Sequence, residues 1–498
     1  DRGAAKAASS DAAGALADYS KALEIDPRFL PARYNRARLY LLSFQDPRKA
    51  LDDYAQMLKV NSQIAAVYSG RASARAFLGE LPGALEEMNT ALALAPQDAR
   101  LYAVRAEVRN RLKDHRGALE DAASALARDP REPVAHAQRA AAKAGLGDAA
   151  GALEDSSTAL LLDPRSTIAC CTRAWAKNQL DDPAGAIQDA SAALEIDPAW
   201  AAAYVQRAVA RLKQNDAPGA RDDAAAALKL DPKIPRAHLL RATARELLGD
   251  LDGALADGSQ AIALDPRDAQ AYLGRARLRQ RRDDASGTKA DATAALALDP
   301  KLLDALFLRA VARMSLGDCE GAIEDCTRIL REDPLRSGAY VARGMAKEKK
   351  KDYRGAVEDA TVAAMLNPGS AEALSNRAAA KGQLGDYNGA VDDASRALTL
   401  DPRYVPALLN RATAYERKAE LTLALQDYTR ALQVRPEDAS IRFKRGSLLM
   451  AQGLAEQRPA ASLLMQARAD FSKVLESEGP YRAQAERRLK MIQDALTP

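Results

Sequence analysis

From Leu30 onward, apolar residues recur at intervals of three and four in short stretches that repeat along the chain. Between Pro235 and Pro266, Ala237, Ala242 and Leu248 mark a first helix, and Leu251, Ala254, Leu255, Gly258, Ala261 and Ile262 form the apolar stripe of a second. Gly249 supplies the left-handed residue that ends the first helix. Asp250 stands where a carboxylate accepts the orphan amide protons of the second. Asp265-Pro266 closes the pair, because proline cannot continue a helix. The same Gly-Asp joint recurs at Gly147-Asp148, Gly317-Asp318 and Gly385-Asp386.

The pattern has a fixed period. Asp-Pro falls every 34 residues from Asp129-Pro130 to Asp333-Pro334, and Asn367-Pro368 and Asp401-Pro402 keep step. Upstream, one extra residue near Phe44 to Pro47 lengthens a period to 35. Small residues hold one register on the second helices (Ala118, Ala152, Ala186, Ala254) and another on the first (Ala106, Ala140, Ala174, Ala242). A side chain ending at Cβ lets two helix backbones approach and bury the larger residues beside it. No pair covers its own apolar face, so neighbours must stack.

These spacings resemble the tetratricopeptide repeat family over nearly the whole chain, from residue 1 to about 476. The bulky position of the first helix, where the family prefers Trp, holds Tyr68, Tyr102, His136, Cys170, Tyr204 and His238. The expected fold is all-α, a right-handed superhelical α-solenoid. Residues 1–29 read as a truncated first repeat, 30–438 as twelve complete repeats, 439–476 as an irregular last repeat, and 477–498 as a capping helix. The last repeat carries an insertion at Gly453 to Ala460. On the cap, Ala485, Leu489, Ile492 and Leu496 are expected to face the stack, with Arg487, Arg488, Lys490 and Gln493 in water. Asp1 falls partway along a first helix, so the chain is expected to continue upstream.

Charge adds a second period. Arg precedes the small residue of nearly every first helix (Arg36, Arg71, Arg105, through Arg445), and an acid recurs on nearly every second helix (Asp18, Asp53, Glu87, Asp121, through Asp427). The alternatives are an arginine track for phosphate and an internal ion-pair ladder, in which the planar guanidinium suits a two-pronged grip on carboxylate. A carboxylate at every step argues for the ladder, and 72 basic against 68 acidic residues leave a net charge of only +4. Thr288 and Lys289 replace the usual small and apolar pair, as Arg221 does earlier, and looser packing is expected there.

Catalytic motifs are missing from the sequence. There is no Gly-rich phosphate loop, zinc-protease motif or nucleophile elbow. His136 and His238 share one repeat position, and His115 reads as part of a helix-joining turn. Cys319 and Cys326 read as small core residues. Four cysteines make no disulfide framework, which points to the cytoplasm or another reducing compartment. No apolar run is long enough to span a bilayer.

The expectation is therefore a non-catalytic scaffold without cofactor or metal, monomeric, whose partners are proteins or peptides. The family resemblance puts its binding groove on the concave side, along the first helices. Candidate contacts there are Tyr34, Arg38, Phe77, Arg100, Arg111, Trp175, Lys213, Arg236, Arg277, Arg281, Phe307, Val311 and Met314, with Trp175 and Phe307 as anchors. The family's carboxylate clamp for C-terminal peptides is matched in part by Asn35, Asn376 and Asn410, but their neighbours break the pattern and no complete clamp is assigned. Two alternatives remain: a regulatory or targeting region of a larger enzyme, and a nucleic-acid-binding solenoid using Arg277 and Arg281. Near-neutral charge speaks against the second.

Overall fold

Helix pairs follow the punctuation. The computed structural model describes residues 3, 6, 11–455 and 460–496; among them are 28 helices and no strand. Pairs of a 13-residue and a 14-residue helix run from Leu30–Leu42 with Pro47–Val60 to Val405–Arg417 with Leu421–Val434, preceded by Ala12–Ile25. Between the two helices of a pair one residue is left-handed. It is glycine at Gly79, Gly147, Gly249, Gly317 and Gly385 (φ +81 to +86°), and an L-residue at Gln45, Lys113, Asp181, Asn215, Asp283, Lys351 and Ala419.

Both aspartates of the repeat act on the backbone. The Asp250 carboxylate accepts from the Gly253 amide at 2.8 Å, and Asp148, Asp216 and Asp318 do the same in their repeats. The glycine three residues on is required by this cap: a Cβ at Gly151 would run into the Asp148 carboxylate and the Lys143 side chain. At the other end, Asp129 ends a helix through its own amide and then accepts from the Arg131 amide at 2.9 Å, fixing the turn in which proline sits.

The core is a row of small clusters. Ala118, Ala152, Ala186 and Ala254 on second helices, and Ala106, Ala140 and Ala174 on first helices, are fully buried. Thr288 is buried too, and its hydroxyl donates to the Asp284 carbonyl at 2.7 Å. A back-bonded threonine thus fits where alanine usually stands. Arg221 lies outside on Asp222 while Ala220 and Ala224 beside it stay buried.

Two compact units divide the chain, Asp1–Pro266 and Arg267–Pro498. Within each, first helices of adjacent regular repeats touch one another, and among the described residues no comparable contact joins second helices. The first helices therefore line the inner side of each unit's curve. At the C-terminal end, Ala439–Ala455, Ala461–Leu475 and Arg482–Leu496 enclose Leu464, Phe471, Val474, Ala485 and Ile492. Arg488 does not face water there; its guanidinium lies over the Phe443 ring, 4.7 Å from the centroid. Of the expected insertion, residues 456–459 lie outside the described residues, as do residues 1–10 other than Gly3 and Lys6.

Candidate functional site

The arginine and acid series meet inside the repeats. In each Arg–Asp pair Nε donates to one carboxylate oxygen and Nη2 to the other, as in Arg139–Asp155 (2.8 and 2.5 Å), Arg241–Asp257 (2.8 and 2.6 Å) and Arg411–Asp427 (2.7 and 2.8 Å). The aspartates from Asp53 to Asp470 are only 2–4% exposed. Arg445 finds its acid at Asp470, 25 residues on instead of 16, because the last pair is lengthened. An arginine track for phosphate is excluded by this geometry: these guanidinium groups already grip carboxylates.

Four residues after the ladder arginine, a second cation reaches the same carboxylate: Arg109 to Asp121 at 2.9 Å, Lys143 to Asp155 at 2.8 Å, Arg313 to Asp325 at 2.9 Å. Burial pushes the carboxyls of Asp155, Asp257 and Asp393 up, yet their two cations, joined at Asp257 by a hydrogen bond from His238, hold them below the ordinary value. In several rungs the arginine's remaining Nη1 reaches back to the preceding repeat. Arg105 donates to Asn89 at 2.9 Å, Arg207 to Ser191 at 3.2 Å, and Arg411 to Ser395 at 3.0 Å. The bulky first-helix residue closes the ladder from outside. Arg207 and Arg343 lie 5.5 Å from the ring centroids of Tyr204 and Tyr340, and His238 sits 3.2 Å from Asp257 and 3.1 Å from the Pro232 carbonyl. One rung differs. Glu87 stands for aspartate, Arg71 and Arg75 share its Oε1 at 3.1 and 3.3 Å, and Arg71 Nε is buried without a partner.

The candidate groove residues differ in what holds them and in how far they are exposed. Arg111 donates to the Ala76 carbonyl at 2.7 Å and Lys213 to the Asn178 carbonyl at 2.6 Å, each neutralising the C-terminal end of the preceding first helix. Lys213 also meets Asp181, and Arg277 meets Asp304 at 2.6 Å. Met314 is only 8% exposed, packed among Ala310, Ala322 and Cys326, and belongs to the core. Phe307 is half-buried with Arg336 over its ring at 5.7 Å; Trp175 and Val311 are half-buried, and Arg236 and Arg281 are exposed. Tyr34, Arg38, Phe77 and Arg100 lie together around adjoining cavities.

Of the partial clamp, Asn410 donates to the Ser375 carbonyl and hydroxyl, both at 3.0 Å, while Asn376 Nδ2 is buried without a partner. His115 is no turn residue: it opens the helix His115–Arg128 and meets Asn110 at 3.3 Å. The four cysteines are unbridged; Cys326 is buried, and Cys319 packs against the same cluster.

Two adjoining cavities open on the inner side of the N-terminal unit, of about 390 and 290 Å³, sharing Leu41, Leu42, Ser73 and Val104. Glu107 lines the smaller one. Burial pushes its carboxyl up, with Arg111 offsetting this in part. In the C-terminal unit a more polar cavity of about 340 Å³ carries Glu348, Asn410, Arg417 and Lys444. Among the described residues no group of three or more His, Cys, Asp or Glu is placed to hold a metal ion, and no helix is long and apolar enough to cross a membrane.

A tetratricopeptide repeat model matches residues 39–99, 205–269 and 409–457. No curated protein sequence matches the chain. Among solved structures, a tetratricopeptide repeat protein from Parabacteroides merdae is 21% identical, covering 52% of this chain and 98% of that one (TM-score 0.43). The APC/C hetero-tetramer Cut9–Hcn1 is 15% identical over 94% of this chain and 98% of that one (TM-score 0.46). Yeast Tom70 is 16% identical over 86% and 95% (TM-score 0.39).

Proposed function

We propose, proceeding from a chain that belongs to the tetratricopeptide repeat family, that it is a non-catalytic scaffold holding peptide or helical segments of partner proteins along the first helices. One observation carries this reading. Charges inside the repeats are paired rung by rung, whereas the inner side of each unit keeps cavities with exposed groups on their walls: Leu42, Phe77, Arg38 and Arg100 in one, Arg417 and Lys444 in the other. A fold that closes its own polar interior and leaves these groups outside is built to be completed by another chain. The ladder also argues against a nucleic-acid role, since the periodic cations that phosphates would need are held by aspartates.

Photo-crosslinking with the full chain tests the proposal. A crosslinker at Ala141 or Ala379, on first helices, is expected to capture partner polypeptide. The same group at Glu120 or Glu358, exposed on second helices, is expected to capture none. Capture confined to the second-helix positions, or turnover of a substrate by the chain alone, would refute it.

A further inference from the structure

Adjacent first helices of the C-terminal unit are tied to each other by side chains. Lys349 donates to the Met314 carbonyl at 3.3 Å, and Asn410 to the Ser375 carbonyl at 3.0 Å, each joining two helices. Asp304, in the first turn of Leu303–Ser315, joins three. Arg277, on the preceding first helix Ala269–Arg281, donates through Nη2 to one carboxylate oxygen at 2.6 Å. Arg336, at the start of the following first helix Ser337–Lys349, donates through Nη2 to the other at 2.5 Å.

This arrangement runs against local preference. Arg336 is the N-cap of Ser337–Lys349 and makes no capping hydrogen bond. At the same place in neighbouring repeats, Asp268 and Ser370 accept from backbone amides of their helices. A cation at this end also opposes the helix dipole. The Arg336 side chain turns away instead, lies over the Phe307 ring at 5.7 Å from its centroid, and reaches Asp304. A residue that breaks a local rule its neighbours keep marks a task beyond local folding.

Solvent sets the strength of the contact. The Arg277 and Asp304 side chains are 51% and 46% exposed, so salt screens their attraction. Two such exposed pairs together favour contact over separation by about tenfold. The Arg336 hydrogen bond, with Arg277 behind it, holds the Asp304 carboxyl below its ordinary value, so the group stays charged in neutral and weakly acidic water. Ionic strength is therefore the variable that opens the contact. The ladder rungs of the same repeats stay closed meanwhile, because Asp291, Asp325 and Asp359 are buried and screened far less. We infer that Arg277, Asp304 and Arg336 form a reversible clasp that holds three consecutive first helices close together and releases them as salt rises.

Distances between nitroxide labels on the full chain test this. Noncanonical residues replacing Gln270 and Gly338 carry the labels; both positions are exposed and occupy the same place on the first and third helices of the clasp. At about 50 mM sodium chloride a longer distance is expected in about a tenth of the molecules, and at about 1 M, with a screening length of about 3 Å, in about half. Asp304→Asn should show the larger share at both concentrations. Labels at Gly338 and Glu372, on helices that Asp304 does not join to each other, should be indifferent to salt, with circular dichroism unchanged throughout. Wild-type distances that ignore salt, a variant that keeps the wild-type response, or an equal shift between Gly338 and Glu372 would each overturn the inference.

Discussion

The Glu87 rung allows the ladder to be tested by a single methylene. Elsewhere the fork closes with Nε on one oxygen and Nη2 on the other, but the longer Glu87 brings Arg71 and Arg75 to one oxygen and strands Arg71 Nε. Glu87→Asp should let that nitrogen find Oδ2, as Arg105 does at 2.9 Å with Asp121. A buried donor without a partner costs about 1–3 kcal/mol, and the lost methylene gives back about 0.8 kcal/mol. The net expectation is a gain of about 1 kcal/mol. The mirror change, Asp257→Glu, breaks a sound fork in a closed site and should cost about 1–3 kcal/mol. A long repeat array need not unfold in one step, so the readout must be local. Native-state hydrogen exchange of residues 65–94 should slow in Glu87→Asp, and that of residues 235–264 should quicken in Asp257→Glu. If both substitutions move exchange in the same direction, the fork geometry is not what sets the stability of these rungs.

Three further expectations follow from the same geometry. Arg275→Leu leaves the buried Asp291 with Arg279 and should cost about 3–5 kcal/mol by urea unfolding, much of it recovered in Arg275→Leu/Asp291→Leu; no recovery would show that charge burial is not the cause. Ala419→Gly relieves an L-residue at φ +61° and should gain about 0.5–1 kcal/mol, seen as a higher Tm; a lower Tm would count against it. Asp155, Asp257 and Asp393 have carboxyls held below their ordinary 3.8, so their stabilisation is full above that pH and is lost as pH falls through the lower folded values. Helicity followed by circular dichroism should therefore hold down to about pH 4 and fall below it; an acid-insensitive spectrum would contradict this.

Much of the architecture could be read from residues because the repeat uses each in a local role. Asp250 caps, Gly249 turns, and Ala254 lets a neighbour approach, all within a few residues of where they stand. The ladder was legible as two matched series. Its second cation was not, since Lys143 or Arg313 looks like any surface base until the helix turn brings it onto a buried carboxylate. Asp470 escaped because a lengthened pair shifts it out of register, although a search for an acid facing Arg445 beyond the insertion would have found it. The groove candidates fared least evenly. Arg111 and Lys213 reach carbonyls 35 residues back, a distance over which sequence carries no signal, and Met314 lies on the buried side of its helix.

The third proton of the ladder arginines gives the array a direction. Arg105 leans on Asn89, Arg207 on Ser191 and Arg343 on Thr327, always toward the amino-terminal neighbour. During synthesis that neighbour leaves the ribosome first, so in these repeats the arginine meets an acceptor already in place, while Arg139 and Arg241 face Ala123 and Ala225 there. Trimming such a chain at a repeat boundary is correspondingly lopsided. Either cut bares an apolar face, but the polar cost differs: from the carboxyl end a hydroxyl or amide passes to water, whereas from the amino end a guanidinium loses its companion.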